Sequence, residues 1–435
     1  LTANDFRQNG AIVLIGDATD PETLLSARIT RAKQLVCLLG QDQENLKISH
    51  LAYQLAKQTQ RELTCITHLA SQDLLGLVKR SELTLTSDAF LFETFNTYRR
   101  AAHQIIQGDP VWADGKTLPE HILILGMGRL GENLVLQAGY QWFTQGRAKK
   151  MRITILDRSA EEKTQNLIQQ QPELADTVNF QTHDLDLSAP GVVEKVVSQI
   201  DRLESITRAY LCISNSILNL QLLSALRETF PFDQIPFHVR VEKASGLADL
   251  FDAPIIGLSA SADLHLFDIH EATCSVDLVL GGSHELLARQ LRENYLRTQK
   301  GADSATLLAV PWGQVSEEEK QANRIQANRI AHLLDARNYC ISPLQHWNAR
   351  DTSFSDNELE EMAQLEHRLW CEWKRSNGWK FGPLRDGQLK TNPDLCPWES
   401  LGHEEKQKTI EFIRALPRLL ADMGFEIVKK PQLLF

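Results

Sequence analysis

Residues 121–131 read HILILGMGRLG, and residues 153–157 read ITILD. Four apolar residues, Ile122 to Leu125, run directly into Gly126-Met127-Gly128-Arg129-Leu130-Gly131. A strand buried on both faces reads as such a continuous run, and a glycine turn then feeds a helix. The three glycines meet three physical needs: a tight turn, close backbone approach to a pyrophosphate, and close helix–strand packing. The helix that follows offers unpaired N–H groups and a positive dipole end to phosphate. Asp157 closes the second strand, where an acid takes a ribose hydroxyl pair. The Gly126–Asp157 interval exceeds the usual span of about 20 residues, so the helix or its loop must be extended. The other reading of the loop keeps its glycines for packing alone.

The chain has 435 residues, enough for two to four domains. With 43% hydrophobic and 23% charged residues it has an ordinary globular composition. No apolar run approaches the roughly 18 residues of a membrane helix. A net charge of −10 argues against general nucleic-acid binding, which needs a basic footprint. Seven cysteines without a C-x-x-C pair point to a reducing, cytoplasmic setting and no metal site.

From the start, Ala11 to Ile15 reads as a strand, followed by Gly16-Asp17-Ala18-Thr19-Asp20-Pro21-Glu22-Thr23-Leu24. Pro21 suits a first helical turn, with Asp20 as its N-cap. Gln34 to Gly40 is a further strand, Gln43 to Gln58 a helix, and Glu62 to His68 another strand. These residues, GDATDPETL and then DQENLKISHLAYQLA, resemble the RCK or TrkA-N domain, the ligand-sensing regulator of potassium channels and transporters. The resemblance spans roughly residues 4–105 and covers the second half of that domain. It implies a glycine loop and ribose acid upstream of Leu1. Upstream sequence is therefore expected, as the place for a missing strand and for any membrane helices.

The plan repeats. A strand around Val178 to Thr182 precedes His183-Asp184, as Ala11 to Ile15 precedes Gly16-Asp17. Ala209 to Asn215 parallels Leu35 to Gly40, Asn219-Leu220 parallels Asn45-Leu46, and Pro236 to Val241 parallels Leu63 to Thr67. Self-similarity at a domain-sized period implies a duplicated Rossmann-type unit. The second copy retains its glycine loop. The resemblance assigns Gly126, Gly128 and Gly131 to the family's glycines, Arg129 to a position that reaches phosphate, and Asp157 to the ribose acid. Asp184 and Ser214 stand at strand ends lining the crevice of an open parallel sheet, with a helix cap as the other role for Asp184. Arg158 suits a 2′-phosphate, but the acid before it favours the free hydroxyl. The expected cofactor is NAD(H) or an adenine nucleotide.

Beyond it, Gly281-Gly282-Ser283-His284-Glu285 reads as a capped helix running to Tyr295, and Gly301 to Ser304 as a linker. The repeat Asn323 to Ile330 reads as a solvated helix with exposed arginines. Six of the eight tryptophans fall in the last 124 residues: Trp312, Trp347, Trp370, Trp373, Trp379 and Trp398. Glu366-His367-Arg368-Leu369-Trp370, Gly378-Trp379, Asn392-Pro393 and Pro397-Trp398 resemble the RyR domain, the module named for ryanodine receptors. That family more often has His where Asn392 stands. The tryptophans read either as core or as a ligand pocket, in which Trp370, Trp379 or Trp398 stacks while His367, Arg368 and Lys374 hold polar groups.

The expected architecture is α/β. A partial RCK/TrkA-N-like unit occupies residues 1–110, a second Rossmann-like unit residues 119–300, and a mainly helical RyR-like domain residues 311–435. The expected function is a non-catalytic nucleotide sensor, forming dimers or higher assemblies and serving a membrane channel or transporter subunit. An NAD-dependent oxidoreductase needs a proton donor or acceptor beside the nicotinamide, and no such constellation follows the second nucleotide half. A scaffold whose sheets only mediate oligomerisation is the third reading.

Overall fold

The computed structural model describes residues 3–59, 62–71, 74, 78, 90–111, 120–146, 149–200, 203, 206–229, 235–242, 264–274, 279, 282–298, 310 and 312–430. The chain divides into two compact units. One comprises Leu1–Thr67, Asp73–Thr94 and Leu280–Phe435; the other comprises His68–Gln72 and Phe95–Val279. Among the described residues, no helix is long and apolar enough to cross a membrane.

Near the start, β1 (Gln34–Cys37), β2 (Leu63–His68) and β3 (Phe90–Phe95) form a three-stranded sheet in that order, with β1 and β2 parallel. Helix Asp42–Thr59 connects β1 to β2. Helix Pro21–Ser26 begins as expected, with the Asp20 carboxylate accepting the Glu22 N–H at 3.1 Å. Residues 11–15 depart from expectation: they form no strand, and Ile12 and Ile15 are 92% and 87% exposed. Their counterpart in the second unit is paired to a neighbouring strand. The described residues around 11–15 offer no such neighbour, so their backbone has no ladder to join.

The second unit is built on a six-stranded sheet. Its strands are β4 (His121–Leu125), β5 (Met151–Asp157), β6 (Val178–Asp184), β7 (Arg208–Leu211), β8 (Phe237–Arg240) and β9 (Leu264–Phe267). Their order is β6-β5-β4-β7-β8-β9, and every pairing is parallel. This is the doubly wound α/β sheet expected. Helices cover both faces, so β4 is buried at every position and shows no apolar–polar alternation. Each of its four aliphatic side chains contributes about 1.5–3 kcal/mol by leaving water.

One buried pair makes the internal repeat physical. Asn45 accepts the Leu39 N–H at 2.7 Å and donates to the Leu39 carbonyl at 2.9 Å. Asn219 donates to the Ile213 carbonyl at 2.8 Å and to the Arg240 carbonyl at 2.9 Å. Each asparagine thus ties down the backbone six residues before it, where the strand has just ended.

The N-terminal ends of these strands hold a buried ionic cluster. Arg208 donates to the Asp109 carboxylate at 2.8 Å and to the carbonyls of Asp109 and Pro110 at 2.8 and 3.0 Å. His238 meets the same carboxylate at 2.9 Å and stacks on the rings of Tyr210 and His265. Glu120 stands 3.8 Å from the Arg208 Nε. A buried charge is tolerated only with such partners.

In the C-terminal region, helices Gly282–Thr298, Glu317–Asp335, Asp356–Ser376 and His403–Asp422 accompany an antiparallel pair, β10 (Tyr339–Pro343) and β13 (Phe425–Lys429). Two short strands, β11 (Lys380–Phe381) and β12 (Thr391–Asn392), pair in parallel between them. Helix Asp356–Ser376 starts with a reciprocal cap, Ser355 with Glu358. The helix read as solvated is instead a core element: Ala327, Ile330, Leu333 and Leu334 are buried. Its Arg324 forms a two-pronged pair with buried Glu285 at 2.6 and 2.7 Å, and Arg329 faces Glu366 at 3.5 Å. Charge composition hid this because buried carboxylates on neighbouring helices turn those arginines inward. Ser283 lies inside its helix, its side chain outside the described residues, as is the expected linker Gly301–Ser304.

The ionic cluster predicts a pH dependence. Burial alone would raise the Asp109 carboxyl, but the His238 hydrogen bond and the Arg208 charge outweigh it, and the net shift is downward. Burial lowers His238, against its bond to Asp109. In both cases the unfolded chain takes up the proton at the higher pH. Stability is therefore complete above the unfolded values, about 6.5 for His and about 3.9 for Asp, and is lost as pH falls through the folded ones. Urea unfolding midpoints should decline between pH 7 and 5.5, and His238→Gln should flatten that decline and shrink the loss below pH 4, leaving there the part due to Arg208. An equal slope in the variant would remove His238 from the account.

Candidate functional site

The C-terminal ends of β4, β5 and β7 open on a cleft of about 1060 Å³. It lies where the strand order reverses beside β4, the position at which open α/β sheets bind ligands. Gly126 has φ of +97°, and a Cβ there would come to 3.2 Å from Ile213. Gly131 is tighter, since a Cβ would fall 2.3 Å from the Gly126 carbonyl oxygen. Gly128 differs from both: its φ is −85°, and a Cβ there would meet nothing within 4 Å. Two glycines are thus required by the fold, and the third leaves open space at the start of helix Arg129–Thr144.

Six of the eight residues singled out in this unit line the cleft: Gly126, Gly128, Arg129, Asp157, Arg158 and Ser214. Gly131 lies behind the wall as a packing contact. Asp184 stands beside Asp157 in register, and its carboxylate accepts the Glu161 N–H at 3.3 Å. The acid that reaches the cleft from this strand end is Asp186, two residues on, which accepts the Ser188 N–H at 2.9 Å and hydroxyl at 2.6 Å. Those bonds, with burial opposing and Arg158 assisting, hold the carboxyl below its usual range.

Both oxygens of Asp157 are engaged by the protein itself. One oxygen accepts the Met127 N–H at 2.8 Å, linking the strand end to the glycine loop. The other takes the Lys163 ammonium and, at 3.3 Å, the Ser159 N–H. Lys163 lines the cleft, as does Arg240. Both were missed because neither belongs to a motif; Lys163 reaches Asp157 from the helix Ala160–Gln170 that follows the strand. Cys212 also lies in the wall, where burial pushes its thiol up to about 12 and keeps it protonated at neutral pH.

In the C-terminal region a second cavity, about 650 Å³, is lined by His367, Arg368, Cys371, Arg375 and Trp398 among others. His367 donates from Nε2 to the Cys396 carbonyl at 2.8 Å and packs on Trp370 and Trp398. Trp370, Lys374 and Trp379 do not line this cavity. The Lys374 ammonium instead sits 3.9 Å over Trp379, 5.2 Å over Trp373 and 5.9 Å over Trp370. The six residues expected to form one pocket therefore fall into two groups.

The family model of the TrkA-N domain matches residues 2–84, and that of the RyR domain matches residues 353–429. The chain carries a TrkA-N domain and an RyR domain. Among solved structures it is similar to the GsuK RCK domain, at 13% identity and a TM-score of 0.39 over 64% of this chain and 69% of that one. It is also similar to an NADPH-dependent glyoxylate/hydroxypyruvate reductase from Sinorhizobium meliloti, solved with NADP and sulfate. There the identity is 12% and the TM-score 0.23, over 67% of this chain and 100% of that one. At scores below 0.5 neither likeness extends to function.

The glycine geometry makes a direct prediction. Gly131→Ala drives a methyl into a backbone carbonyl and should destabilise the second unit by about 1–3 kcal/mol. Gly128→Ala meets open space and should stay within about 0.5 kcal/mol of the parent. Urea denaturation of the two variants side by side checks the contrast.

Proposed function

We propose that this chain is a nucleotide-sensing regulatory protein rather than an enzyme. The TrkA-N domain supports a potassium channel or transporter as the system served, with NAD(H) or an adenine nucleotide as the ligand. The carrying observation is the open space at Gly128, set between a strand end and a helix start whose neighbouring glycines the fold requires. A pyrophosphate fits there, held by the free N–H groups of that helix start and by Arg129. Asp157 marks the adenosine ribose, with Asp186 and Ser214 on the surrounding wall.

The regulatory reading rests on what the wall offers a reacting atom. Among the described lining residues there is no histidine, Tyr98 is the only phenol, and the residue four beyond it is Ala102. Hydride transfer to a carbonyl needs a positioned proton donor, and the one ammonium beside the loop among these lining residues, Lys163, is engaged with Asp157 at the strand end. The RyR domain adds a surface for a ligand or partner, with Arg368, His367 and Trp398 at the cavity. A regulator acts only if its ligand favours one conformation or assembly, so dimers or larger assemblies with a membrane subunit belong to this reading.

The test uses the full chain. Titration calorimetry should show nucleotide binding in the parent and none in Gly128→Val, with circular dichroism unchanged. Scattering profiles should change on adding the nucleotide, and absorbance of reduced cofactor should stay at background with carbonyl or alcohol substrates. Equal affinity in Gly128→Val would move the site elsewhere, and turnover well above background would make the chain an oxidoreductase.

A further inference from the structure

We infer that the cleft prefers an adenine dinucleotide phosphorylated on its adenosine ribose over one with a free ribose diol. This rests on the nucleotide reading above and sets the 2′-phosphorylated dinucleotide in place of NAD(H) as its preferred ligand. A bare acid at the second strand's end repels a 2′-phosphate and welcomes two hydroxyls. Here the acid is not bare. The Lys163 ammonium contacts one Asp157 oxygen, the Ser159 N–H shares that oxygen at 3.3 Å, and the Met127 N–H takes the other at 2.8 Å. The carboxylate charge is thus compensated, and a ribose diol finds most of its acceptor capacity in use.

Two cations stand beside the acid, in a cleft that also holds the carboxylates of Asp186 and Glu194. Lys163 keeps 35% of its side chain exposed, and its ammonium has two further protons to donate. Arg158 follows Asp157 directly, is exposed, and lines the same cleft. Asp186 shares the Arg158 charge, and its carboxylate also accepts the Ser188 N–H and hydroxyl. A free diol must compete with Lys163 for Asp157, whereas a phosphate recruits Lys163 and Arg158 together. A 2′-phosphate would accept charge-assisted bonds from two cations at once, whereas a diol would donate to one carboxylate that three protein donors already share, so the balance falls to the phosphorylated ribose.

The experiment is calorimetric titration of the full chain and of Lys163→Gln and Arg158→Gln with NADP⁺ and with NAD⁺ at one fixed ionic strength. The parent should bind NADP⁺ at least about tenfold more tightly than NAD⁺. Each variant should lose about tenfold for NADP⁺, and Lys163→Gln should hold or gain affinity for NAD⁺ because Asp157 is released. Equal affinities in the parent, a preference for NAD⁺, or an equal loss for both ligands in Lys163→Gln would overturn this inference while leaving the nucleotide site standing. Binding of neither dinucleotide would overturn the nucleotide reading, and this inference with it.

Discussion

The approach of Gly131 to the Gly126 carbonyl is the constraint on which the second unit depends. With a Cβ placed 2.3 Å from that oxygen, only glycine lets helix Arg129–Thr144 begin this close to β4. That closeness places the helix start over the strand end, and the Gly126 turn at φ +97° brings the chain round in so few residues. The Asp157–Met127 bond then fastens the loop to β5. Strand, loop, helix and the next strand end are thereby fixed against one another, and the cleft is what remains between them. The loop is rigid for reasons of packing, and its one permissive position, Gly128, is left facing open space.

Much of this was legible in the sequence because each feature has a local signature. The unbroken apolar run of β4 can belong only to a buried strand or helix segment, and the glycines that follow exclude a helix. The repeat was legible through Asn45 and Asn219, whose matching offsets reflect one shared role: tying the chain just after a strand. Legibility fails where a role depends on direction. Asp184 and Asp186 lie on the same side of an alternating strand, but the strand ends at Asp184, and only the residue beyond it turns into the cleft. Lys163 was invisible for a related reason. A lysine six residues after an acid is ordinary in composition, and its importance comes from the helix that returns it to Asp157.

Failures of the other kind come from long-range partners. Ala11 to Ile15 has the composition of a strand, but β-structure is a property of pairs, and the described residues supply no neighbour for it. The arginines of helix Glu317–Asp335 look like a solvated face until Glu285 and Glu366 are placed opposite them. Removing Glu285 from water alone would be costly; Arg324 on one side and the Trp312 indole at 2.8 Å on the other satisfy both of its oxygens. Such an arrangement fixes the register of two helices whose apolar faces alone would permit sliding.

The two lysines at the sites, Lys163 and Lys374, show why a set of binding residue types does not make a binding site. Three indole faces around an ammonium describe a cage for a cationic ligand, yet in the RyR domain the cation is the chain's own. Burial, with Arg385 and Arg329 adding to it, lowers the Lys374 pKa, as expected for an ammonium drawn from water onto ring faces. A cationic ligand would have to expel it, so this cluster acts as structure that stiffens the end of helix Asp356–Ser376. Lys163 also fills the place of a ligand, but its partner is an anion and its side chain remains partly in solvent. An arriving phosphate need not displace it, because one ammonium can bridge the Asp157 carboxylate and a phosphate oxygen at once. The same residue type therefore closes one cluster and completes the other, and the sign of its partner decides which.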